Sequence, residues 1–197
     1  MRSKRLISLL VAVCMMITML PLSAVTAFAA DTSTVHEAKD GEGIYRYAYK
    51  ENEDGETVTI TEFLGPVDPA NNGPYDIEIP TELDHHPVTG LGEYSFSGTY
   101  SPDHQTNHNL ISFCNQIQSV TIPESVTSIG KSAFEHCSKL DSLTIKGVAT
   151  SIGAYAFASC TSLTSLSLVG NFQTIGEQAF ACLLYTSDAA DDLIGVD

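Results

Sequence analysis

One short segment of the chain has residue types and spacing that suit a metal ion. Asp103 lies beside His104, and His108 follows four residues later. Two histidines at this spacing bind a metal when a helix places both on one face. Pro102 and the asparagines that flank His108 favour an irregular loop instead. The sequence therefore predicts an exposed polar loop with no metal and no cofactor, in which His104 and His108 are candidate binding residues.

Three cysteines form a second candidate site, because Cys114, Cys137 and Cys160 recur at an interval of 23 residues. Such a set could form disulfides in an exported protein or hold a metal. No pair has the Cys-x-x-Cys spacing of zinc sites, and residues one period apart in a repeat protein stack in parallel. Cysteine is also among the most buried residue types. We expect a reduced column of cysteines in the core.

The sequence lacks the common motifs of catalysis. It contains no Gly-x-Ser-x-Gly elbow, no His-Glu-x-x-His pair and no phosphate-binding loop. The formal net charge of −15 argues against nucleic acid, whose phosphates require Lys and Arg, and against anionic lipid headgroups. These observations predict a binding protein that is not an enzyme.

The elements that position these residues follow from an internal repeat. The pattern Ile-Gly-x-x-Ala-Phe begins at Ile129, Ile152 and Ile175, which gives a period of 23 residues. A fixed period of this length is typical of a supersecondary unit that buries its apolar face only by stacking on its neighbours. The sequence therefore predicts a β-rich solenoid, whose long exposed surface favours binding over catalysis.

Each 23-residue turn is predicted to hold one main strand, a short extended piece and a helical turn. Apolar residues flank Thr121, Thr144 and Ser167, which is the alternation of a half-buried strand. The Gly that ends the extended piece in every turn indicates a corner that needs positive φ or a close backbone approach. The Ala-Phe segment is too short for a free-standing helix. We expect it to form a helical or 3₁₀ turn that inserts Phe into the core.

An earlier and looser copy of the repeat begins at residues 77–80, so about four turns are predicted over residues 77–181. Two insertions interrupt them. The larger spans residues 99–113, and insertions of this kind map to surface loops. The smaller contains His85-His86 before a proline, which indicates a turn.

The segment before the repeats, residues 30–76, is predicted to be a strand-rich lead-in. Asp54-Gly55 lies between two alternating segments, as is typical of a hairpin turn. Tyr45, Tyr47 and Tyr49 alternate on one strand face. We expect them to cover the N-terminal end of the solenoid, the alternative being that they stack on a sugar.

These turns resemble the BspA-type bacterial leucine-rich repeat family, whose turns read roughly L-x-x-I-x-I-P-x-x-V-x-x-I-G-x-x-A-F-x-x-C. The resemblance is strong over residues 77–181, and residues 44–76 resemble the lead-in of such proteins. Two differences from the family pattern are small. Lys146 and Val169 replace the Pro after the strand, and Ser95 replaces the Ala in the first turn. The resemblance implies a leucine-rich-repeat solenoid at a bacterial surface, with adhesion as its function.

Both ends of the chain differ from the repeats. Residues 1–29 combine a basic start, an apolar run from Leu6 to Leu20 and Ala-Phe-Ala, which together predict a secretory signal peptide. The run is shorter than the roughly 20 residues of a membrane span, so we expect no membrane span after cleavage. Residues 182–197 break the register and resemble a translated transposase sequencing adapter. We expect this tail to be non-native and the reading frame to be cut inside its fourth turn.

The function expected from these features is secreted or cell-surface binding of an extracellular protein or glycan on host or neighbouring cells. Attachment to the cell wall would use a missing C-terminal region. The alternative is that the repeats target a larger extracellular enzyme whose catalytic domain lies beyond the truncation. Outward strand positions form a polar ladder that is our candidate surface for binding: Ser119, Thr121, Ser142, Thr144, Ser165 and Ser167.

Overall fold

The computed structural model describes residues 35–97, 113–147 and 150–182. The predicted signal peptide, residues 183–197 of the tail, His104, His108 and nearly all of the 99–113 insertion lie outside these ranges. The described residues are rich in β-strands: β1 (His36–Lys39), β2 (Tyr45–Glu51), β3 (Val58–Pro66), β4 (Tyr75–Glu78), β5 (Glu82–Leu83), β6 (His86–Leu91), β7 (Ile117–Ile122), β8 (Ser128–Ile129), β9 (Ser142–Ile145), β10 (Thr150–Ile152), β11 (Ser165–Leu168) and β12 (Phe172–Ile175).

The repeats form two parallel arrays of strands. The main strands of successive repeats make a short sheet in the order β11-β9-β7-β4. The extended pieces join a long sheet in the order β1-β2-β3-β6-β8-β10-β12, with β5 paired to β6. Each repeat therefore contributes one strand to each sheet, as the sequence predicts.

The register of the short sheet follows the 23-residue period. Ile77 pairs with Val120, which pairs with Leu143, which pairs with Leu166. In the long sheet Leu91 likewise pairs with Ile129. The looser first copy is therefore a true repeat, in the alignment read from the sequence.

The lead-in extends the long sheet by antiparallel pairing of β1 with β2 and of β2 with β3. The predicted hairpin at Asp54-Gly55 is confirmed. The Asp54 carboxylate accepts the Glu56 and Thr57 N–H groups at 2.9 Å each, and Gly55 has a φ of 65°. An Asx-type turn with a left-handed glycine thus reverses the chain between β2 and β3.

The helical or 3₁₀ turn predicted for the Ala-Phe segments is not confirmed, because these segments form runs of β-turns, and a short 3₁₀ segment follows at residues 181–182. Ser132 and His136 have φ values of 54° and 63°, which no right-handed helix contains. The Ala133 and Glu135 N–H groups each donate to the carbonyl three residues earlier, at 3.4 and 3.1 Å. The Phe134 N–H instead donates to Ala156 of the next repeat at 2.7 Å. Bonds between repeats have replaced the bonds within a helix.

The glycine at each corner is required by a close approach of two repeats. A Cβ on Gly153 would lie 2.6 Å from the backbone of Gly130 and Lys131 in the preceding repeat. Gly153 is not among the described residues with positive φ. The sequence indicated either positive φ or a close backbone approach at this glycine. The close approach is the reason that applies.

A column of stacked aromatic rings fills the core. Phe96, Phe134, Phe157 and Phe180 stack with centroids 4.6, 5.2 and 5.2 Å apart, and Phe63 of the lead-in stacks on Phe96 at 5.3 Å. The lead-in therefore continues the core of the repeats. It covers their N-terminal end, as terminal repeats do in other repeat proteins.

The tyrosines and cysteines lie where the sequence placed them. Tyr45, Tyr47 and Tyr49 are at most 7% exposed, so they cover the core rather than present a sugar-binding face. Cys114, Cys137 and Cys160 are free and buried. The Cys137 and Cys160 thiols lie 3.3 and 3.2 Å from backbone carbonyl oxygens of the preceding repeat, which gives each a weak hydrogen bond between repeats.

Candidate functional site

The predicted hydroxyl ladder is a regular feature of the short sheet. Ser119 pairs with Ser142, which pairs with Ser165, and the second row has the same registration. Val120 and Leu143 between the rows are buried, so alternation directs the hydroxyl side chains to the opposite, outer face. The ladder therefore consists of two parallel rows across three strands: Ser119, Ser142 and Ser165 in one, and Thr121, Thr144 and Ser167 in the other.

The N-terminal end of the ladder is acidic. Asp76 pairs with Ser119, and Glu78 pairs with Thr121, so β4 continues both rows with carboxylates. The Ser119 hydroxyl donates to the Asp76 carboxylate at 2.5 Å. The alignment of the repeats already places Glu78 at the position of Thr121. The sequence analysis did not extend the ladder to Asp76 and Glu78.

Beside β4 lies an open cleft of about 640 Å³, which we call the acidic cleft. One wall is the β1–β2 connection, residues 39–45, and the other consists of residues from β4 to the β5–β6 turn. Lys39 and His85 are basic members of its lining. Carboxylates dominate the lining: Asp40, Glu42, Asp76, Glu78, Glu82 and Asp84.

Hydrogen bonds fix the wall that β1 and β2 provide. The Asp40 carboxylate accepts the Ile44 N–H at 2.7 Å and the Tyr45 N–H at 3.0 Å, which closes the connection into a defined turn. The Tyr45 hydroxyl reaches across the cleft to the Asp76 carbonyl at 3.4 Å. Burial raises the pKa of Tyr45, and the negative charge of Asp76 raises it further.

The opposite wall is fixed through Asp84. The Asp84 carboxylate accepts the Tyr49 hydroxyl at 2.8 Å. Burial, together with this bond, raises the pKa of Tyr49 to about 12. Asp84 and His85 have φ values of 47° and 70°, as in the two-residue turn of a tight hairpin. The turn predicted at His85-His86 is therefore confirmed, with His86 as the first residue of β6.

A second set of hydroxyl side chains was missed by sequence reasoning. Ser128, Ser151 and Thr174 pair in register on the long sheet. Ser128 and Thr174 are exposed. The signal was their position two residues before the corner glycine in each repeat. This second row offers a matched surface on which the same substitutions can be made away from the ladder.

Two further features bear on function. Within the described ranges, no group of three or more His, Cys, Asp or Glu side chains is arranged to hold a metal ion. None of the helical segments in that part of the chain has the length and hydropathy needed to cross a bilayer. His104 and His108 stay predictions, since they lie outside the described residues.

Comparison with known proteins identifies the repeat and the fold. Residues 89–188, just over half of the chain, match the family model for BspA type leucine rich repeat regions, in six copies. A leucine rich repeat protein from T. pallidum has a similar structure, with a TM-score of 0.55 and 24% identity. A leucine rich cell surface protein from Faecalibacterium prausnitzii A2-165 has a TM-score of 0.54 and 27% identity. No curated protein matches the chain.

The chain corresponds to part of each of these proteins. The similarity covers 74% of this chain and 56% of the T. pallidum protein. It covers 78% of this chain and 35% of the Faecalibacterium protein. The likeness therefore covers about three quarters of this chain and about a third of the Faecalibacterium protein.

Proposed function

The chain belongs to the BspA type leucine rich repeat family, and on that premise we propose that it is a secreted or surface-displayed solenoid that binds extracellular proteins or glycans through the hydroxyl ladder. The similar Faecalibacterium protein is described as a cell surface protein, which supports the same location for this chain. The predicted signal peptide at residues 1–29 supports export. Adhesion to host or neighbouring cells is the role we infer for this binding.

The observation that carries the proposal is the in-register placement of hydroxyl side chains on one face of the short sheet. Strands of a sheet lie about 4.8 Å apart, and alternate residues along a strand lie about 6.6 Å apart. The two rows therefore present donors and acceptors at regular intervals. Such a surface suits many weak contacts with the repeating hydroxyl and amide groups of a glycan or an extended protein.

The test compares matched substitutions on the two sheets. Ser142→Arg with Thr144→Arg places two long cations at the centre of the ladder. Ser128→Arg with Thr174→Arg makes the same change of charge and size on the long sheet. Ser142 and Thr144 are half-buried and Ser128 and Thr174 are exposed, so the urea midpoint of each variant is measured to confirm that it is folded. Labelled proteins are then applied to arrays of glycans and of extracellular proteins, on which the unsubstituted chain first defines the bound set.

We expect the Ser142→Arg/Thr144→Arg variant to lose about tenfold or more in affinity, because charges at the centre of an interface disrupt its best-packed contacts. The Ser128→Arg/Thr174→Arg variant should bind as the parent does. Equal loss in both variants, or loss only in the long-sheet variant, would show that the ladder is not the binding surface. Targeting of an enzyme's catalytic domain stays a prediction.

A further inference from the structure

Among the residues that the structure describes, strand β4 is an edge of the short sheet, and one side of its backbone has no partner strand. Within those residues, β4 pairs with β7 alone. The N–H groups of Tyr75 and Ile79 donate to carbonyls of the β7 segment at 2.7 and 2.9 Å. Backbone groups alternate in direction along a strand. The N–H and C=O groups of Asp76 and Glu78 therefore point away from β7.

This free edge opens into the acidic cleft, whose lining includes Asp76 and Glu78. The Tyr45 hydroxyl reaches the Asp76 carbonyl from that side, which confirms the direction of the group. An extended segment pairing with β4 would be about 13 Å long at about 3.3 Å per residue. The cleft volume of about 640 Å³ lies within the range typical of ligand sites. Ile44, 43% exposed, adds an apolar patch to the opposite wall.

Charge decides which segment can dock there. The lining carries six carboxylates against Lys39 and His85. A second copy of this chain, with a formal net charge of −15, would be repelled from such an edge. An extended segment with Lys or Arg at alternate positions would match both the outward N–H groups of Asp76 and Glu78 and the carboxylates.

We propose that the β4 edge, inside the acidic cleft, binds an extended basic segment of another protein as an added strand of the short sheet. The strand would occupy the position that the main strand of the preceding repeat occupies elsewhere in the short sheet. Backbone hydrogen bonds to β4 would give affinity, and the carboxylates would select the partner, as in other cases of strand addition. This edge adjoins the N-terminal end of the hydroxyl ladder, and strand addition to it goes beyond the function proposed above.

A purely protective role for the carboxylates is the competing explanation. Short, charged edge strands prevent unwanted strand pairing, and that role alone predicts no binding of extended peptides. The two explanations differ in one measurable way. Strand addition needs the N–H groups of Asp76 and Glu78, whereas protection needs only the charges.

The experiment uses the full chain and a fluorescent ten-residue peptide of alternating Lys and Val. One control peptide has Glu in place of Lys. A second control keeps every Lys but carries N-methyl groups on alternate residues, so that it has the same charge and no edge to pair. We expect only the unmodified Lys-Val peptide to bind. Amide resonances of Asp76 and Glu78 should then gain protection from exchange, while Ile77, already paired to β7, should not change.

Two substitutions at one position separate charge from backbone. Glu78→Gln removes a carboxylate and should weaken binding about fivefold. Glu78→Pro also removes the free N–H, which the pairing with β7 does not use, and should abolish binding while the fold is retained. Glu53→Gln, an exposed change at the β2–β3 hairpin outside the cleft lining, should have no effect. Equal binding of the N-methylated peptide, equal effects of Glu78→Gln and Glu78→Pro, or no binding by any peptide would overturn the proposal.

Discussion

The corner glycines provide the most direct test of how the repeats pack. In the unsubstituted protein, the Gly153 N–H donates to the Ile129 carbonyl of the preceding repeat at 2.8 Å. Gly153→Ala adds a methyl group that would lie 2.6 Å from the Gly130 and Lys131 backbone. Favourable contacts between such atoms occur at about 3.5–4.0 Å. The two repeats must therefore separate locally by about 1 Å.

That separation has a predictable cost. Forcing an extra methyl into a packed site costs about 1–3 kcal/mol, and loss of the Gly153 hydrogen bond adds about 1 kcal/mol. Replacing Gly with Ala restricts the unfolded chain, which returns about 0.4–1 kcal/mol. We expect Gly153→Ala to lower the free energy of unfolding by about 2–3 kcal/mol.

Gly41→Ala is the matched control. A Cβ on Gly41 would have no heavy atom within 4 Å, and Gly41 is not among the glycines with positive φ. This variant should be unchanged or more stable by up to about 1 kcal/mol. In urea, with an m-value of about 2 kcal/mol/M, the midpoint of Gly153→Ala should fall about 1.5 M below that of Gly41→Ala, at unchanged m. If the two midpoints agreed within about 0.3 M, the close-approach explanation would be wrong.

Other predictions concern the core and its titration. Phe134→Ala should lower the free energy of unfolding by about 3–5 kcal/mol. Phe180→Ala should lower it less, because Phe134 is fully buried and Phe180 only partly. Equal losses for the two variants in urea denaturation would contradict this. Burial raises the pKa of Cys137 well above its ordinary value of 9.0, so its thiol should resist alkylation at pH 8 until the chain unfolds; rapid labelling of the native protein would show an open core. Burial and the bond to Asp84 raise the pKa of Tyr49 from 10.0 to about 12. The folded state then holds its proton more tightly than the unfolded state, so this contribution is constant below pH 10 and is lost as pH rises toward 12. Tyr49→Phe should flatten that part of the unfolding free energy against pH.

Periodicity was enough to predict which residues are buried and which strands pair. Hydrophobic columns depend only on spacing, so the alignment of Ile77 with Val120 could be made without coordinates. The turn after each corner could not be predicted this way. Positive φ at Ser132 and at Tyr155, one period later, depends on hydrogen bonds to the next repeat. Local propensity, which favoured a helix, does not include such bonds.

The hydroxyl ladder was predictable and the acidic cleft was not, for related reasons. The ladder repeats with the period, so its members could be found by counting along the chain. The cleft joins the β1–β2 connection to β4 and the β5–β6 turn, and these segments share no periodic pattern. The walls are joined by long-range bonds, from the Tyr45 hydroxyl to the Asp76 carbonyl and from the Tyr49 hydroxyl to the Asp84 carboxylate. Sequence spacing cannot indicate such contacts.

Departures from the repeat are where this fold can acquire specificity. A residue that obeys the period, such as Thr144, is surrounded by copies of itself and can contribute only a uniform surface. Asp76 and Glu78 occupy the same rows but carry charge. They lie on β4, which has β7 on one side and the cleft on the other. The same edge that would be an aggregation risk in a neutral strand thereby accepts only partners of opposite charge. Regular repeats then supply a rigid support, and the first repeat, where the period meets the lead-in, determines what that support can recognise.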